Sequence, residues 1–273
     1  MTTDVVAASA FYRDVVGWGT QDASTSKLPY THFTAGETPA AGLMELPEEG
    51  RKMGATPRWM GYVAVMDVYA ASDRIKRLGG MVYVPPTDTN IGRISVVADP
   101  RSVPFAIVDH LRMTPQQPTD SSKLGRIGWH ELFAANLDEE AAFYCELFGW
   151  QRANTANHLA DDYRLFSAGG QIIGGAFKKA PDEPVPFWLF YFNVEDLDAA
   201  AERVRAGGGL AFLNDDELPG GLWIARCVDP QGAAFALQGK QRRAPQVGWS
   251  TEWQGFSSRG QLVTPKSRRG SEN

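Results

Sequence analysis

The four histidines and two cysteines of this 273-residue sequence carry the side chains that most readily bind a metal or attack a substrate. A metal site of histidine and carboxylate ligands needs at least three of them converging at about 2.0–2.2 Å. His32 and His158 lie in irregular polar stretches and His110 enters a polar linker, which predicts surface positions or local hydrogen bonds. Cys145 has no histidine nearby in the sequence, so an activated thiol is not indicated.

The overall composition is that of a soluble globular protein, with 43% hydrophobic and 22% charged residues. No apolar run approaches the roughly 20 residues that span a bilayer, and the first ten residues lack the pattern of an export signal. Two cysteines in separate segments favour a reducing compartment. A net charge of −5 gives no reason to expect a nucleic acid as partner. We therefore expect a cytoplasmic protein that binds neither membranes nor nucleic acid.

An internal repeat organises the chain. The segments SAFYRDVVGWG (Ser9–Gly19) and AAFYCELFGWQ (Ala141–Gln151) share the pattern Phe-Tyr-x-x-x-x-Gly-Trp at an offset of 132 residues. Two further pairs follow in the same order at offsets of 129 and 130: Met66–Gly80 with Glu195–Gly209, and Ala98–Val108 with Val228–Gln238. Three landmarks at a nearly constant offset indicate a duplicated domain of about 120 residues.

The periodicity within each copy predicts helices and strands in a fixed order. Amphipathic helices that end at glycine are followed by short strands, and strand-like runs such as Ile127–Phe133 precede them. The predicted fold class is therefore α+β, with four tandem βαβββ units, two in each domain. The predicted boundaries are residues 1–112 for domain 1, 113–123 for a linker, 124–239 for domain 2, and 240–273 for a basic extension with a disordered end.

The first strand of domain 1 is the element for which this scheme finds no residues. Subtracting the offset of 132 from Gly128–Phe133 places that strand at positions −4 to 1. Two explanations stay open. The start codon lies further upstream, which is the hypothesis that we favour, or the strand has been lost and the sheet exposes an edge. The mass of the intact native protein would distinguish them.

The repeated aromatic residues are expected to be structural. Phe11, Tyr12, Phe143 and Tyr144 have the spacing of a buried helix face, and aromatic residues at that spacing form a core far more often than a binding site. The glycine-rich segment Gly169–Gly175 has no Walker lysine, so we interpret it as turns rather than as a phosphate loop.

Together, the four units, the repeated helix ends and the Asp-Pro turns before the last strands resemble the vicinal oxygen chelate superfamily. This group includes glyoxalase I, extradiol dioxygenases and bleomycin-resistance proteins, and the resemblance covers roughly residues 1–239. It implies that each domain curves into an open, incomplete barrel around a cleft. In the metalloenzymes of the superfamily, the first and last strands of the units supply histidine and glutamate ligands to one divalent metal.

The positions that the resemblance implies for those ligands hold residues that cannot bind a metal. They are Gly61, Ala106, Trp129, Leu189 and Ala236. We therefore expect no cofactor, with a divalent metal as the alternative. His130 follows Trp129 in a strand and is expected to face away from the cleft. A slip of one residue would turn it inward, although a metal would then still need two further ligands.

The same strand alternation gives the residues that line the cleft. The candidates for ligand binding are Trp59, Trp129, Phe133, Phe187, Tyr191 and Gln238. Glu131 shares this face and is the candidate for catalysis, because a carboxylate among aromatic residues should have a raised pKa and could shuttle a proton. Alternatively, Glu131 pairs with Arg164 or Arg226, or accepts backbone hydrogen bonds at the edge of its strand.

An aromatic lining with few polar groups suits a small aromatic or hydrophobic molecule. The first interpretation is therefore a metal-independent superfamily member, either a binding protein or an enzyme, that holds such a molecule in a cleft. The alternatives are a metal-dependent enzyme, namely a glyoxalase-like lyase or isomerase or an extradiol-type dioxygenase, and a non-catalytic interaction module. Since two domains already supply four units, a monomer is sufficient, although an exposed edge of domain 1 could pair in a homodimer.

Overall fold

Four copies of one supersecondary unit make up the described part of the chain. The computed structural model describes residues 1–26, 28–89, 91–110, 120–153, 163–181, 183–213 and 221–241. The first unit contains α1 (Val5–Val16), β1 (Gly19–Asp22), β2 (Thr31–Ala35) and β3 (Thr38–Leu43). A short helix, α2 (Glu48–Lys52), leads to the second unit, with β4 (Tyr62–Ala64), α3 (Val68–Arg77), β5 (Met81–Asp88), β6 (Arg93–Ala98) and β7 (Pro104–Asp109).

The second half of the chain repeats this order. The third unit contains β8 (Ile127–Ala134), α4 (Leu137–Phe148), β9 (Gln151–Ala153), β10 (Tyr163–Ala168) and β11 (Gln171–Lys178). The fourth contains β12 (Phe187–Asp196), α5 (Leu197–Ala206), β13 (Leu210–Leu213), β14 (Trp223–Val228) and β15 (Ala234–Lys240). The α+β class and the tandem units are thus confirmed. Most of the predicted linker and nearly all of the basic extension lie outside the described residues.

Polar caps explain where the helices begin. The side chains of Asp4, Asp67, Asn136 and Asp196 each accept a hydrogen bond from a backbone N–H of the first helical turn. At the other end, α1 and α4 stop at glycines in the left-handed region, such as Gly149 with a φ of 72°. Each cap fixes the point at which a strand turns into a helix, and so fixes which strand residues face inward. No helix in these ranges is long and apolar enough to cross a membrane.

Domain 2 forms one curved sheet of eight strands in the order β13-β14-β15-β12-β8-β11-β10-β9. Its centre is β8, which runs antiparallel to β12 and parallel to β11. Domain 1 has the same strand order in two pieces, β1-β2-β3 and β4-β7-β6-β5. In the described residues no strand lies between β3 and β4, which is the place that β8 occupies in domain 2. Met1 and Thr2 lie at one end of this place. Met1 exchanges two backbone hydrogen bonds with Arg58, and Thr2 forms an isolated parallel bridge with Glu45. The gap is where the repeat offset predicts it.

The repeated Phe-Tyr segment joins the two domains. The hydroxyl group of Tyr12 in α1 donates to Oδ2 of Asp229, in the Asp-Pro turn of the fourth unit, at 2.9 Å. Tyr12 Oη also accepts a hydrogen bond from Nε1 of Trp59 at 2.8 Å. Tyr12 and Asp229 are both buried, and α1 packs against α5. The first unit is therefore completed by the fourth.

A second network of the same kind joins the other two units. Tyr144 in α4 donates to Oδ2 of Asp99 at 3.1 Å and accepts from Nε1 of Trp188 at 3.0 Å. Burial, followed by the nearby carboxylate, raises the pKa of both tyrosines in these networks well above the ordinary value, so both stay protonated as donors. The structural interpretation of the repeated aromatic residues is confirmed, since they fill the cores between the domains.

Candidate functional site

The inward face of domain 2 brings together most of the predicted site residues. Along β8 and β12 the side chains alternate, so that one face carries Trp129, Glu131 and Phe133 opposite residues of β12. The buried members of this cluster are Phe133, Leu189, Tyr191, Ile224 and Ala236, and the half-buried ones are Trp129, Phe177, Phe187 and Ala234. The predicted alternation for β8, β12 and β15 therefore agrees with the packing.

Glu131 lies at the centre of this face and is held by neutral donors. Its Oε1 accepts hydrogen bonds from Oη of Tyr163 at 2.7 Å and from Nε1 of Trp129 at 3.2 Å. Its Oε2 accepts a short hydrogen bond from Oη of Tyr191. Of the two arginines considered as partners, Arg164 instead pairs with Asp138, with 3.2 Å between the nitrogen and oxygen atoms.

The two phenols beside Glu131 act as donors because they hold their protons. Burial raises the pKa of Tyr163 and Tyr191 far above the ordinary value of 10, and the charge of Glu131 raises both further. Since a phenolate would be repelled by the carboxylate, the arrangement is stable only with both phenols neutral. Glu131 is consequently a fixed hydrogen-bond acceptor, surrounded by aromatic rings.

Tyr163 was not identified from the sequence as a partner of Glu131. It reaches Glu131 by crossing β11 at Gly175, whose Cα would place a side-chain Cβ only 2.3 Å from the Tyr163 hydroxyl. Gly174 likewise leaves room for the ring of His130, which a Cβ would meet at 2.8 Å. The interpretation of this glycine-rich segment as turns holds for Gly169 and Gly170 and is wrong from Gln171 onward, where the segment lies inside β11. Glycine inside a strand is the signal that could have indicated this close approach.

Aromatic stacking dominates the end of the face that lies beyond Glu131. The rings of Phe133 and Phe187 stack with centroids 4.8 Å apart and an angle of 5° between their planes. The Arg226 guanidinium lies over the same Phe133 ring, 4.8 Å from its centroid. A small cavity of about 20 Å³ adjoins these three residues. Since one water needs about 10–15 Å³ measured in this way, the cavity has room for a single water beside the stack.

Gln238 closes the opposite end of the face. Its Nε2 donates to Oδ1 of Asn193 at 2.7 Å, and Nδ2 of Asn193 donates to the carbonyl oxygens of Ser121 and Lys123. Gln238 is buried, with 8% of its surface exposed. The structure thus places this residue in a network that anchors the start of domain 2, and its contact with a ligand stays a prediction.

Trp59 is separated from the other predicted ligand-binding residues. It packs against Tyr12 and Phe192 in the core between the domains, although one side also borders a cavity in domain 1. Gly61 faces the same core as Trp59, because a Cβ there would lie 2.9 Å from the Phe190 ring.

The positions of the helix caps explain why Gly61 faces the core and not, as the sequence predicted, the cleft. Leu189 lies seven residues before its cap at Asp196, and the corresponding residue of domain 1 is Met60, not Gly61.

The histidines lie apart from one another. His130 packs with Trp188 and Phe190 on the face of β8 opposite Glu131, as predicted, and burial lowers its pKa to about 4. His32 is not in an irregular polar stretch but in β2, where it is buried. Burial lowers the pKa of His32 as well. His110 is exposed near Asp109, and His158 lies outside the described residues.

The residues present do not fit the metal site of the superfamily's metalloenzymes. The two positions of the glutamate ligands hold alanines, Ala106 and Ala236. The three positions of histidine ligands that lie in described strands hold Trp129, Leu189 and Met60. Across the described ranges, no three His, Cys, Asp or Glu side chains come close enough to share a metal ion. Glu131 is the carboxylate on the inward face of β8, and its neighbours are phenols and an indole.

Comparison with known proteins identifies the family. The sequence matches the Glyoxalase/Bleomycin resistance protein/Dioxygenase superfamily over residues 1–107 and 126–237. The chain belongs to this superfamily. Its two matched segments correspond to the two halves of the repeat, so the resemblance drawn from the sequence is confirmed. CFP32 of Mycobacterium tuberculosis, named as a candidate glyoxylase, is 31% identical over 246 residues, which cover 86% of this chain and 90% of CFP32.

Other similar proteins are more distant. The anthracycline biosynthesis protein DnrV of Streptomyces peucetius is 29% identical over 127 residues, covering 41% of this chain and 46% of DnrV. Among solved structures, the Mn(II)-bound glyoxalase from Novosphingobium aromaticivorans has a TM-score of 0.59 at 16% identity, covering 90% of this chain and 82% of its own. The 2,3-dioxygenase LapB from Pseudomonas sp. KL28 has the same TM-score at 11% identity, covering 94% and 93%. At these identities the likeness shows the shared fold.

Proposed function

We propose that this superfamily member binds a small aromatic or hydrophobic molecule at the inward face of domain 2, without a metal ion. The observation that supports the proposal is Glu131, a half-buried carboxylate that three neutral donors hold in place within a wall of aromatic rings. Such a wall with one directional polar group suits a flat organic molecule that carries one hydrogen-bond donor. The role needs no membrane or nucleic acid as partner and is compatible with a cytoplasmic monomer or homodimer.

The stack on Phe133 suggests where the ligand ring lies. Because the cavity of about 20 Å³ is too small for an aromatic ring, a ligand has to displace a side chain. Phe187 is half-buried and stands at the start of β12, so its ring is the one that can leave at least cost. A ligand ring would then stack on Phe133 in its place. Its hydroxyl or N–H group would donate to Glu131 instead of Trp129, whose bond of 3.2 Å is the longest of the three.

The absence of metal ligands at the expected positions supports the metal-independent form of this proposal. Two alanines stand where the superfamily's metalloenzymes have glutamates, and an alanine side chain has no lone pair to donate. The alternative is a metal-dependent lyase, isomerase or dioxygenase. Elemental analysis of the purified protein distinguishes the two, because stoichiometric Mn, Fe, Ni or Zn would contradict the metal-independent proposal.

Titration with 2-naphthol, followed by its fluorescence, tests the site. We expect Phe187→Ala to lower the Kd by about tenfold, since the ring that competes for Phe133 is removed, and Glu131→Gln to raise the Kd. The matched control is Leu213→Ala, which removes an apolar side chain with 37% of its surface exposed on β13. Leu213 pairs with Ala225 rather than with Arg226, so its side chain lies on the opposite face of the sheet. If Phe187→Ala and Leu213→Ala change the Kd equally, the ligand does not bind at the Phe133 stack.

A further inference from the structure

The guanidinium group of Arg226 lies inside the concave face of domain 2. Arg226 belongs to β14, which is separated from β8 in the sheet by β15 and β12. Its guanidinium nevertheless lies 4.8 Å from the centroid of the Phe133 ring on β8. The side chain therefore spans the concave face above the intervening strands. The residue opposite Arg226 on β15 is Ala236, whose small side chain leaves room for this path.

This guanidinium is a positive charge beside positions that hold metal ligands in the superfamily's metalloenzymes. Two of those positions are Ala236, opposite Arg226, and Leu189, which lines the same small cavity as Arg226. The charge acts on this face. Burial and the charge of Glu131 raise the pKa of Tyr191, whereas the charge of Arg226 opposes that rise. A fixed organic cation of this kind pairs best with an anionic oxygen atom.

The connection between β11 and β12 places an acidic residue beside this cation. Glu183 is buried, with 6% of its surface exposed, and lines the cavity of about 20 Å³ together with Phe133 and Arg226. A turn holds the residue there, since Glu183 N donates to Ala180 O at 3.1 Å and Lys179 Nζ donates to Glu183 O at 2.6 Å. Because the cavity has room for a single water, Glu183 and Arg226 flank one water-sized space.

Glu183 and Phe187 together have the chemical groups of a ligand. They stand on one short segment and bring an acidic group and an aromatic ring to the same cavity, where the ring stacks on Phe133. Pro184 and Pro186 lie between them, and proline has no N–H group to pair in a sheet. Phe187 is the first residue of β12, so the segment before it can move away without breaking the ladder of that strand.

We propose that the ligand of this site is an aromatic carboxylic acid, whose carboxylate binds Arg226 where Glu183 now lies and whose ring replaces Phe187 on Phe133. This proposal rests on the proposed function and adds an anionic group to the ligand. A guanidinium has five N–H donors in a planar fork that matches a carboxylate, which favours such an acid over a neutral aromatic molecule. The charge balance favours it as well, because the ligand carboxylate replaces the negative charge of Glu183 instead of adding a second one.

Two fluorescent ligands that differ by one carboxylate test this proposal. 6-Hydroxy-2-naphthoic acid has the ring and hydroxyl group of 2-naphthol and a carboxylate at the opposite end, which is ionised at neutral pH because carboxyl groups have a pKa of about 4. The Kd of each ligand is measured by fluorescence titration, and the ratio of the Kd of 2-naphthol to that of the acid is the acid preference. We expect an acid preference of about ten in the wild type.

Three substitutions change the charges at this site. Arg226→Met is expected to reduce the acid preference to about one or below, while Arg226→Lys, which keeps the charge without the planar fork, retains part of it. Glu183→Gln removes the competing charge at nearly constant size and should raise the acid preference about tenfold. Glu195→Gln is the matched control, because it removes the same charge from an exposed position of β12 and should leave the preference at the wild-type value.

An acid preference that is the same in the wild type and in Arg226→Met would overturn the proposal. An equal change in Glu183→Gln and Glu195→Gln would overturn it as well. Because Arg226 also packs on Phe133, the lysine and glutamine variants test the charges even where Arg226→Met does not fold. Failure of the proposed function is a separate result, which appears as equal effects of Phe187→Ala and Leu213→Ala on 2-naphthol binding.

Discussion

Glu140 tests how burial changes the pKa of a carboxyl group when only one of its two oxygens is hydrogen-bonded. This residue of α4 has 1% of its surface exposed. Its Oε2 accepts the N–H of Asn136 at 2.6 Å, and its Oε1 has no hydrogen-bond partner in the described residues. Burial, followed by the charge of Asp99, raises the pKa of Glu140 from 4.5 to about 7. Ala8 holds the corresponding position of domain 1, so the fold does not require a carboxyl there.

The effect on stability follows from the direction of that change. Because the folded state binds the proton more tightly than the unfolded state, the contribution of Glu140 to the free energy of unfolding is greatest below pH 4.5. It falls as the pH rises from about 4.5 to 7 and is level above that range. A rise to about 7 corresponds to about 3 kcal/mol. Allowing for screening by solvent at the helix start, we expect a loss of about 2 kcal/mol between pH 4.5 and 8.

Urea unfolding of the wild type and of Glu140→Gln at several pH values between 4.5 and 8 measures this loss. The amide oxygen of glutamine can keep the bond to Asn136, but the amide cannot ionise. We therefore expect the difference between the two proteins to shift by about 2 kcal/mol in favour of Glu140→Gln as the pH rises. Glu139→Gln is the control, because Glu139 is exposed and pairs with Arg101. A difference between wild type and Glu140→Gln that does not change with pH would refute the reasoning.

Two further predictions concern contacts that the repeat creates. Tyr12→Phe should lower the free energy of unfolding, measured by urea titration, by about 1–3 kcal/mol, because buried Asp229 loses a hydrogen-bond donor and Trp59 loses its acceptor. A change below about 0.5 kcal/mol would contradict a role of Tyr12 in joining the domains. Gly175→Ala should destabilise the protein by about 2 kcal/mol and weaken 2-naphthol binding, because a Cβ blocks the path of a tyrosine to Glu131. Gly50→Ala is the control, because a Cβ there would approach other atoms no closer than 3.7 Å, and it should lower neither the stability nor the 2-naphthol affinity. Equal effects of the two glycine substitutions would rule out a steric block between Tyr163 and Glu131.

The repeat made most of the fold predictable from the sequence. Constant offsets between landmarks fix the order of the units, and the alternation along β8 then places Trp129, Glu131 and Phe133 on one face. The same counting also locates the gap in domain 1. These inferences succeed because they depend on distances along one strand or between copies, which the sequence contains directly.

The partners of Glu131 could not be predicted in the same way. Tyr163 lies two strands away, beyond β11, and the sequence does not define the register between these strands. A ring can cross a neighbouring strand only where a glycine leaves room, as Gly175 does. The residue predicted to face the cleft before β4 was wrong by one position, Gly61 instead of Met60. A shift of one residue along a strand moves the side chain to the opposite face of the sheet. Counting from the cap at Asp67 would have given Met60.

Two Tyr–Asp hydrogen bonds join the two halves of the chain, one in each direction. Tyr12 of the first half meets Asp229 of the second, while Tyr144 of the second meets Asp99 of the first, so the contact is reciprocal. That reciprocity is the signature of an isologous interface about a pseudo-twofold axis, here enclosed in a single polypeptide. Covalent linkage of the copies replaces the concentration dependence that two separate subunits would have. Either half produced alone would display an unused tyrosine and an unused aspartate, and so would favour pairing with a second copy of itself.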